Sequence, residues 1–247
     1  MSFLSQSVRI LALAIALCAI ACGARADRSD DRAEPAVAAP ATGRTPTPVA
    51  GATGPRVVIL GDSLTAGLGL SLVEAFPSRL QRHLEDAGLP YTIVNAGVSG
   101  DTSAGGLSRL DWALDGDVRV LVLALGGNDG LRGLPAAQLT DNLSQIIERA
   151  QARGVKVVLA GMEAPPNYGA DYTLAFHKVF PSLAKKYRVP LVPFLLDRVA
   201  GISDLNQADG IHPTADGAQI VADNVWTALK PVVEEDARRS PGKGPTR

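Results

Sequence analysis

From Arg56 onward, short apolar runs alternate with longer segments of helical periodicity at a regular spacing. The strand candidates cover residues 57–60, 91–95, 118–125, 156–160 and 191–194. The helix candidates cover residues 76–87, 103–114, 135–153, 171–187 and 214–233. This alternation predicts βαβ units, and therefore an α/β fold with a mainly parallel sheet of about five strands and helices on both faces.

Several residues in these segments mark where the helices begin and end. Pro135 suits the first turn of its helix and Gly154 suits the end of it. Thr214 is a candidate N-cap for the last helix. Pro181 lies inside a helix candidate, where a proline is expected to kink or break the helix.

The N-terminal sequence is typical of an export signal. Arg9 precedes an apolar run over residues 10–21, which is too short to span a bilayer and is followed by small residues. Residues 1–26 are therefore predicted to be a signal peptide. Cleavage after Ala26 is one alternative, and the other is a lipoprotein signal that ends before an acylated Cys22. Either alternative predicts a periplasmic protein, attached to a membrane if Cys22 is lipidated.

The rest of the chain divides by composition. Residues 27–55 are rich in Ala, Pro, Thr and Gly and are predicted to be a flexible linker. Residues 56–234 are predicted to form one domain, and residues 235–247 a disordered tail. The formal net charge of −1 indicates no nucleic-acid partner, and no cysteine follows Cys22. We expect a monomer with no cofactor and no metal.

Four polar loops follow the predicted strands or precede the last helix. They are Gly61-Asp-Ser-Leu64, the segment 95–102, Gly126-Gly-Asn-Asp-Gly130 and Asp209-Gly-Ile-His-Pro213. The carboxyl ends of parallel strands meet at one edge of a sheet, which is where such folds bind ligands. The sequence therefore predicts that the four loops converge on one site.

The residue types in these loops fit acyl transfer. The hydroxyl of Ser63 needs a neighbouring base before it can attack a carbonyl carbon. Of the three histidines, His83 is expected on a solvated helix face and His177 in a helix away from the loops. This leaves His212 as the base. Asp209, three residues earlier, can orient its imidazole, although it could instead cap the loop.

Attack on an ester also requires donors aimed at the developing oxyanion. The backbone N–H of Ser63 is one candidate. Gly100 and Gly97 compete for the second, and the sequence leaves both open. The side-chain amide of Asn128 is a third candidate, though Asn128 could simply form a turn.

The four loops together resemble the GDSL, or SGNH, hydrolase family. The similarity runs through residues 61–64, 98–103, 125–133 and 209–213, in order, between Arg56 and Val233. It implies a three-layer α/β/α, flavodoxin-like sandwich. It also implies Ser63 as nucleophile, His212 as base with Asp209 as its partner, and an oxyanion hole of Ser63, Gly100 and Asn128.

Within the family, the loop 164–169 and the stretch 187–193 are most similar to the bacterial thioesterase I, lysophospholipase and arylesterase group. This similarity implies hydrolysis of acyl or aryl esters and thioesters, including lysophospholipids, with the loop 162–170 over the acyl site. We expect the substrate to contact Asp62, Leu64, Leu131, Met162, Pro165 and Ile211.

Two other functions deserve a test. One is a carbohydrate O-acetyl esterase, because related folds remove acetyl groups from polysaccharides. The other is a non-catalytic lipoprotein that binds a nucleotide or flavin, although the first strand is followed neither by a dinucleotide motif nor by a P-loop lysine. The Gly-x-Ser-x-Gly elbow of the α/β-hydrolases is also missing at Ser63.

Overall fold

The computed structural model describes residues 54–239. Its strands are β1 (Arg56–Gly61), β2 (Thr92–Gly97), β3 (Val118–Ala124), β4 (Lys156–Ala160) and β5 (Leu191–Val192). Its α-helices are α1 (Ser63–Ala66), α2 (Phe76–Asp86), α3 (Ser103–Ser108), α4 (Leu110–Ala113), α5 (Gly127–Leu131), α6 (Ala136–Ala152), α7 (Ala170–Tyr187) and α8 (Ala215–Arg239). Short 3₁₀ turns cover Pro166–Tyr168 and Ser203–Leu205.

The five strands form one parallel sheet in the order β2-β1-β3-β4-β5. At its centre, Leu60 of β1 lies beside Ala96 of β2 and Leu123 of β3, and all three side chains are buried. Such continuous burial is expected of a parallel sheet covered on both faces. Burial on both faces explains why the central strands are unbroken apolar runs in the sequence.

The helices form two layers, one on each side of the sheet. Helix α2 packs against α8, while α6 packs between α3 and α7. The buried faces include Leu80 and Leu84 of α2, and Leu143 and Ile147 of α6. This arrangement confirms the predicted α/β fold with a central parallel sheet of five strands.

The segment predicted as one helix over 103–114 is two short helices, so that prediction was wrong. The chain leaves helical geometry at Arg109, where φ is −109° and ψ is 11°. Gly105 and Gly106 make the first of these helices intrinsically weak. The side chain of Arg109 bonds to groups at the strand ends, and these bonds favour the break over a continuous helix.

Two prolines behave differently from expectation. Pro181 lies inside the continuous helix α7 and does not break it. The carbonyl that loses its donor belongs to His177, and both residues lie on the exposed face, where water can replace the bond. Pro135 occupies the N-cap of α6 instead of its first turn. The last strand stops at Val192, because the next bond to the Gly161 carbonyl comes from the N–H of Leu195 at 2.8 Å, one residue later than the regular ladder requires.

The closing helix begins as predicted, with Thr214 Oγ1 accepting the N–H of Gly217 at 3.3 Å. It continues to Arg239, so residues 235–239 are helical and the predicted tail was wrong there. Buried Asp236 explains the extension, because it accepts a hydrogen bond from the Tyr91 hydroxyl at 2.8 Å. Its other oxygen lies 3.5 Å from Lys156 Nζ.

The predicted signal peptide, Cys22, most of the predicted linker and residues 240–247 lie outside the described residues. Within residues 54–239, no helix combines the length and the apolar character that a membrane span requires.

Candidate active site

The predicted nucleophile lies in a sharp turn where β1 ends and α1 begins. Ser63 is the first residue of α1, and Asp62 caps this helix by accepting the N–H of Leu64 at 3.0 Å. Gly61 leaves no space for a side chain, because a Cβ there would overlap Thr65 Oγ1 and lie 2.9 Å from the Ala124 carbonyl oxygen. The turn therefore depends on glycine at its entrance and a carboxylate at its helix cap.

The predicted base lies in a loop closed by its own backbone. An isolated antiparallel bridge pairs Asn206 with Pro213. Inside it, the N–H of Gln207 donates to the His212 carbonyl at 2.7 Å, and Gly210 turns the chain with a φ of 69°. The side chain of Gln207 also donates to the Leu68 carbonyl at 2.8 Å, which ties this loop to the segment after α1.

The two loops bring three predicted residues into line. His212 Nε2 lies 2.9 Å from Ser63 Oγ, and His212 Nδ1 lies 2.7 Å from Asp209 Oδ2. A carboxylate only accepts hydrogen bonds, so the imidazole proton lies on Nδ1 and Nε2 is left to accept the serine proton. This is the arrangement that activates a serine hydroxyl.

Asp209 also accepts two backbone hydrogen bonds through Oδ1, from Ile211 at 2.9 Å and from His212 at 3.0 Å. These two bonds and the bond to the imidazole hold the pKa of its carboxyl well below the usual range. Asp209 therefore both caps the loop and contacts the histidine, so the two roles that the sequence left as alternatives coexist.

The structure distinguishes Gly97 from Gly100, the two candidates for the second oxyanion donor. The N–H of Gly97 donates to Asn95 Oδ1 at 2.9 Å, so it is already used. Gly100 is the third residue of a turn closed by the N–H of Asp101 and the Val98 carbonyl at 3.1 Å. Its φ of 85° is typical of a type II turn. The exposed Gly100 is thus the better candidate.

Asn128 lies in the first turn of α5, directly after β3. Its Nδ2 donates to the Asp101 carbonyl at 2.9 Å and lies 3.4 Å from Asp62 Oδ2. The amide group therefore connects the end of β1 with the turn that carries Gly100. It also borders the same groove as Ser63 and His212.

Asp62 lies at the floor of the site, where it borders the same groove as Ser63 and His212. It is 2% exposed, and this burial raises the pKa of its carboxyl to about 6. Its two oxygens face the Leu64 N–H and the Asn128 amide. The geometry gives Asp62 a capping role, while the predicted contact with substrate stays a prediction.

A groove of about 460 Å³ opens beside Ser63 and His212. All six predicted substrate contacts line it, namely Asp62, Leu64, Leu131, Met162, Pro165 and Ile211. Part of the loop 162–170 lines it too, as expected, through Met162 to Pro166. Sequence reasoning missed Phe194, Leu196 and Ala200, which follow β5 and join the same wall. Their apolar character alone gave no signal for a groove.

The other two histidines take no part in this line of residues. His83 is not simply solvated, because its Nε2 lies 2.9 Å from Asp223 Oδ1 and its ring stacks on Trp226 at 5.4 Å. His177 Nδ1 lies 2.7 Å from Glu163 Oε1, at the edge of the groove. Between residues 54 and 239, no group of three or more His, Cys, Asp or Glu side chains is arranged to hold a metal ion.

Two further residues escaped the sequence reasoning. Asp129 is buried and accepts from the N–H and hydroxyl of Ser103, at 2.8 and 2.6 Å, so it fixes the start of α3. Arg109 reaches the ends of two strands from the break between α3 and α4. No local pattern marks either residue, because their partners are distant in the chain.

Comparison with known proteins shows the family of this chain. The model of the GDSL-like Lipase/Acylhydrolase family matches residues 59–220. Esterase TesA of Pseudomonas aeruginosa is 46% identical over 178 residues, which are 72% of this chain and 89% of that protein. Thioesterase 1/protease 1/lysophospholipase L1 of Escherichia coli is 39% identical over 182 residues, covering 73% and 86% of the two chains. A crystal structure of TesA superposes with a TM-score of 0.69 at 45% identity, covering 72% of this chain and 99% of that one.

Proposed function

Because the chain belongs to the GDSL-like lipase/acylhydrolase family and is a serine ester hydrolase, we propose that Ser63 is its nucleophile and carries the acyl group. In this proposal His212 is the general base and Asp209 is its partner. The observation that carries it is the line of contacts from Ser63 Oγ through the imidazole to Asp209, at 2.9 and 2.7 Å.

The first step is attack of Ser63 Oγ on the carbonyl carbon of the ester. His212 Nε2 takes the hydroxyl proton as the new C–O bond forms, and the imidazole becomes an imidazolium. Asp209 stabilises that cation. It remains ionised throughout, in keeping with its lowered pKa.

The carbonyl oxygen becomes an oxyanion in the tetrahedral intermediate. We assign its stabilisation to the N–H groups of Ser63 and Gly100 and to the amide of Asn128, which would exchange its long 3.4 Å contact with Asp62 Oδ2 for the oxyanion. The N–H of Ser63 opens α1 and has no acceptor within the helix. The intermediate then collapses, and the imidazolium protonates the leaving alcohol or thiol.

The second half of the cycle releases the acyl group. A water molecule attacks the acyl-enzyme carbonyl while His212 again takes a proton. The new tetrahedral intermediate expels Ser63 Oγ, which recovers its proton from the imidazolium. The products are a carboxylic acid and free enzyme.

Small-molecule esters are the substrates of this chain, and we propose medium or long acyl and aryl groups, on oxygen or sulfur, as the preferred ones. Lysophospholipids belong to this class. The apolar groove of about 460 Å³ beside Ser63 supports the proposal, because an acetyl group would leave most of that surface uncovered. An acetyl-specific esterase is therefore the weaker alternative.

The first test is hydrolysis of p-nitrophenyl esters, from acetate to palmitate, by the purified protein. We expect the rate to peak at medium or long chains and to fall at least about 10⁴-fold in Ser63→Ala. Ser182→Ala, an exposed serine of α7 outside the groove, is the matched control and keeps the wild-type rate. Activity confined to acetate would favour the O-acetyl esterase instead. Full activity in Ser63→Ala would refute the assignment of the nucleophile and revive the non-catalytic alternative.

A second test uses pH. The protonated imidazole of His212 has no lone pair with which to accept the serine proton, so we expect kcat/KM to fall on the acid side. A profile that stays flat down to about pH 5 would argue against a histidine base.

Export is part of the same proposal and rests on the N-terminal sequence. We propose a periplasmic, monomeric catalytic domain from Arg56 that follows a linker, with Cys22 lipidated or cleavage after Ala26. The mass of the mature protein distinguishes the two processing routes. Partition into detergent that is lost in Cys22→Ser would support the membrane anchor.

A further inference from the structure

The side chain of Arg109 joins the two strand ends that carry the proposed nucleophile and oxyanion loop. Its Nη2 donates to the Gly61 carbonyl at 2.8 Å and its Nη1 to the Ala96 carbonyl at 2.7 Å. Its Nε donates to Asp101 Oδ2 at 2.7 Å. The side chain is only 17% exposed, so these bonds are largely shielded from water.

Two of the three acceptors, on Gly61 and Asp101, belong to residues close to a proposed oxyanion donor. Gly61 is two residues before Ser63, at the last carbonyl of β1. Asp101 follows Gly100 directly and closes its turn, and the Asp101 carbonyl accepts the amide of Asn128 at 2.9 Å. One guanidinium is thus bonded to the supports of all three donors.

The chemistry of this contact requires an arginine. A guanidinium is planar and directs its N–H groups along fixed, separate directions, so it can bind three acceptors at once. The bonds are charge-assisted, and Asp101 balances the positive charge. A lysine ammonium is a point charge on a flexible stem, and it could not hold the same three groups at these distances.

We propose that Arg109 is a positioning residue of the oxyanion hole, which fixes the Gly100 turn and Asn128 relative to Ser63. The inference rests on the proposed function, because it assumes those three donors. Arg109 does not line the groove. It therefore stabilises the transition state through the donors that it positions, without contacting bound substrate. Its loss should lower kcat and leave KM nearly unchanged.

The test compares Arg109→Ala and Arg109→Lys with Arg119→Ala. Arg119 is the matched control, since it bonds to Asp117 at 2.6 Å near the opposite end of the sheet. We expect kcat per active site, counted by titration with a p-nitrophenyl phosphonate, to fall about 10²-fold in Arg109→Ala, as for loss of one oxyanion donor. KM should stay within about twofold, and Arg109→Lys should recover only part of kcat. Arg119→Ala should keep the wild-type values.

Added guanidinium ion gives a readout that a purely structural role would not move. At concentrations below those that unfold the protein, it should raise kcat of Arg109→Ala but not of Arg119→Ala or Ser63→Ala.

Wild-type kcat per titrated site in both Arg109 variants would overturn the inference, as would full activity in Arg109→Lys alone. Should Arg109→Ala fail to fold, the kcat and KM of Arg109→Lys decide. Failure of the proposed function would appear separately, as an inactive wild type or an active Ser63→Ala.

Discussion

The two sides of the active site are built in different ways. The loop that carries His212 is closed by contacts among residues 206–213, and the Asp209 side chain is 45% exposed. The turn that carries Ser63 has buried residues on both sides of the serine, Asp62 and Thr65, and its neighbours come from β3, α5 and the α3–α4 junction. The His212 side is held mainly by local hydrogen bonds, with one distant bond from Gln207 to the Leu68 carbonyl, and the Ser63 side is held by tertiary packing.

The difference is clearest in two aspartates that flank the catalytic pair. Asp209 faces solvent and accepts three hydrogen bonds, so its pKa is lowered. Asp62 is buried, and the loss of water around its carboxyl raises its pKa to about 6. The same residue type therefore has a lowered carboxyl pKa on one side of the site and a raised one on the other.

The largest expected effect is on the local side. In Asp209→Asn the amide can still accept the two backbone N–H groups through Oδ1, but it no longer holds the imidazole in the required tautomer. We expect kcat to fall by about 10⁴-fold with the fold intact. Asp223→Asn, which removes the partner of His83, is the control and should leave kcat unchanged. Similar kcat values in the two variants would contradict the role of Asp209.

The next largest expected effect is that of Asp62, on the Ser63 side, on the free energy of unfolding. Because Asp62 has a raised pKa in the folded chain, the folded protein binds its proton more tightly than the unfolded chain does between pH 3.8 and about 6. Its stabilising contribution is full below that window and is lost as the pH rises through about 6. The free energy of unfolding of the wild type, minus that of Asp62→Asn, should fall by about 3 kcal/mol from the acid to the alkaline side of this window.

Chemical denaturation at a series of pH values measures this difference. Asp209→Asn should give the opposite sign, because a lowered pKa stabilises the folded state above the ordinary aspartate pKa and this contribution is lost as the pH falls. A difference for Asp62→Asn that does not change with pH would show that burial leaves this carboxyl unperturbed.

The smallest expected effects are on stability, from replacing one glycine in the Ser63 turn and one in the His212 loop. Gly61→Ala forces a Cβ against Thr65 and the Ala124 carbonyl, and should lower the free energy of unfolding by about 2 to 3 kcal/mol. Gly210→Ala has open space around it and a φ of 69°, so only backbone strain opposes it, at about 1 kcal/mol. Thermal unfolding of both variants compares their losses of stability. Equal losses would mean that the residues packed around Gly61 can move to accommodate the added Cβ.

Much of this could be predicted from the sequence because the signals are local. Apolar runs predicted each strand, and the three-residue spacing of Asp209 and His212 predicted their contact, now seen at 2.7 Å. Errors arose where a distant partner changed local structure. Arg109 breaks the helix predicted over 103–114, and Asp236 extends α8 through its bond to Tyr91.

The sequence by itself determined the alternation of strands and helices, the edge of the sheet where the polar loops meet, and the residue types that the chemistry needs. These follow from periodicity and spacing within a few residues. Only the tertiary structure showed that the N–H of Gly97 is already bonded to Asn95, that Asp62 is buried, and that Arg109 joins β1 to the loop that carries Gly100. Burial and long-range hydrogen bonds depend on groups far apart in the chain, and no local pattern records them.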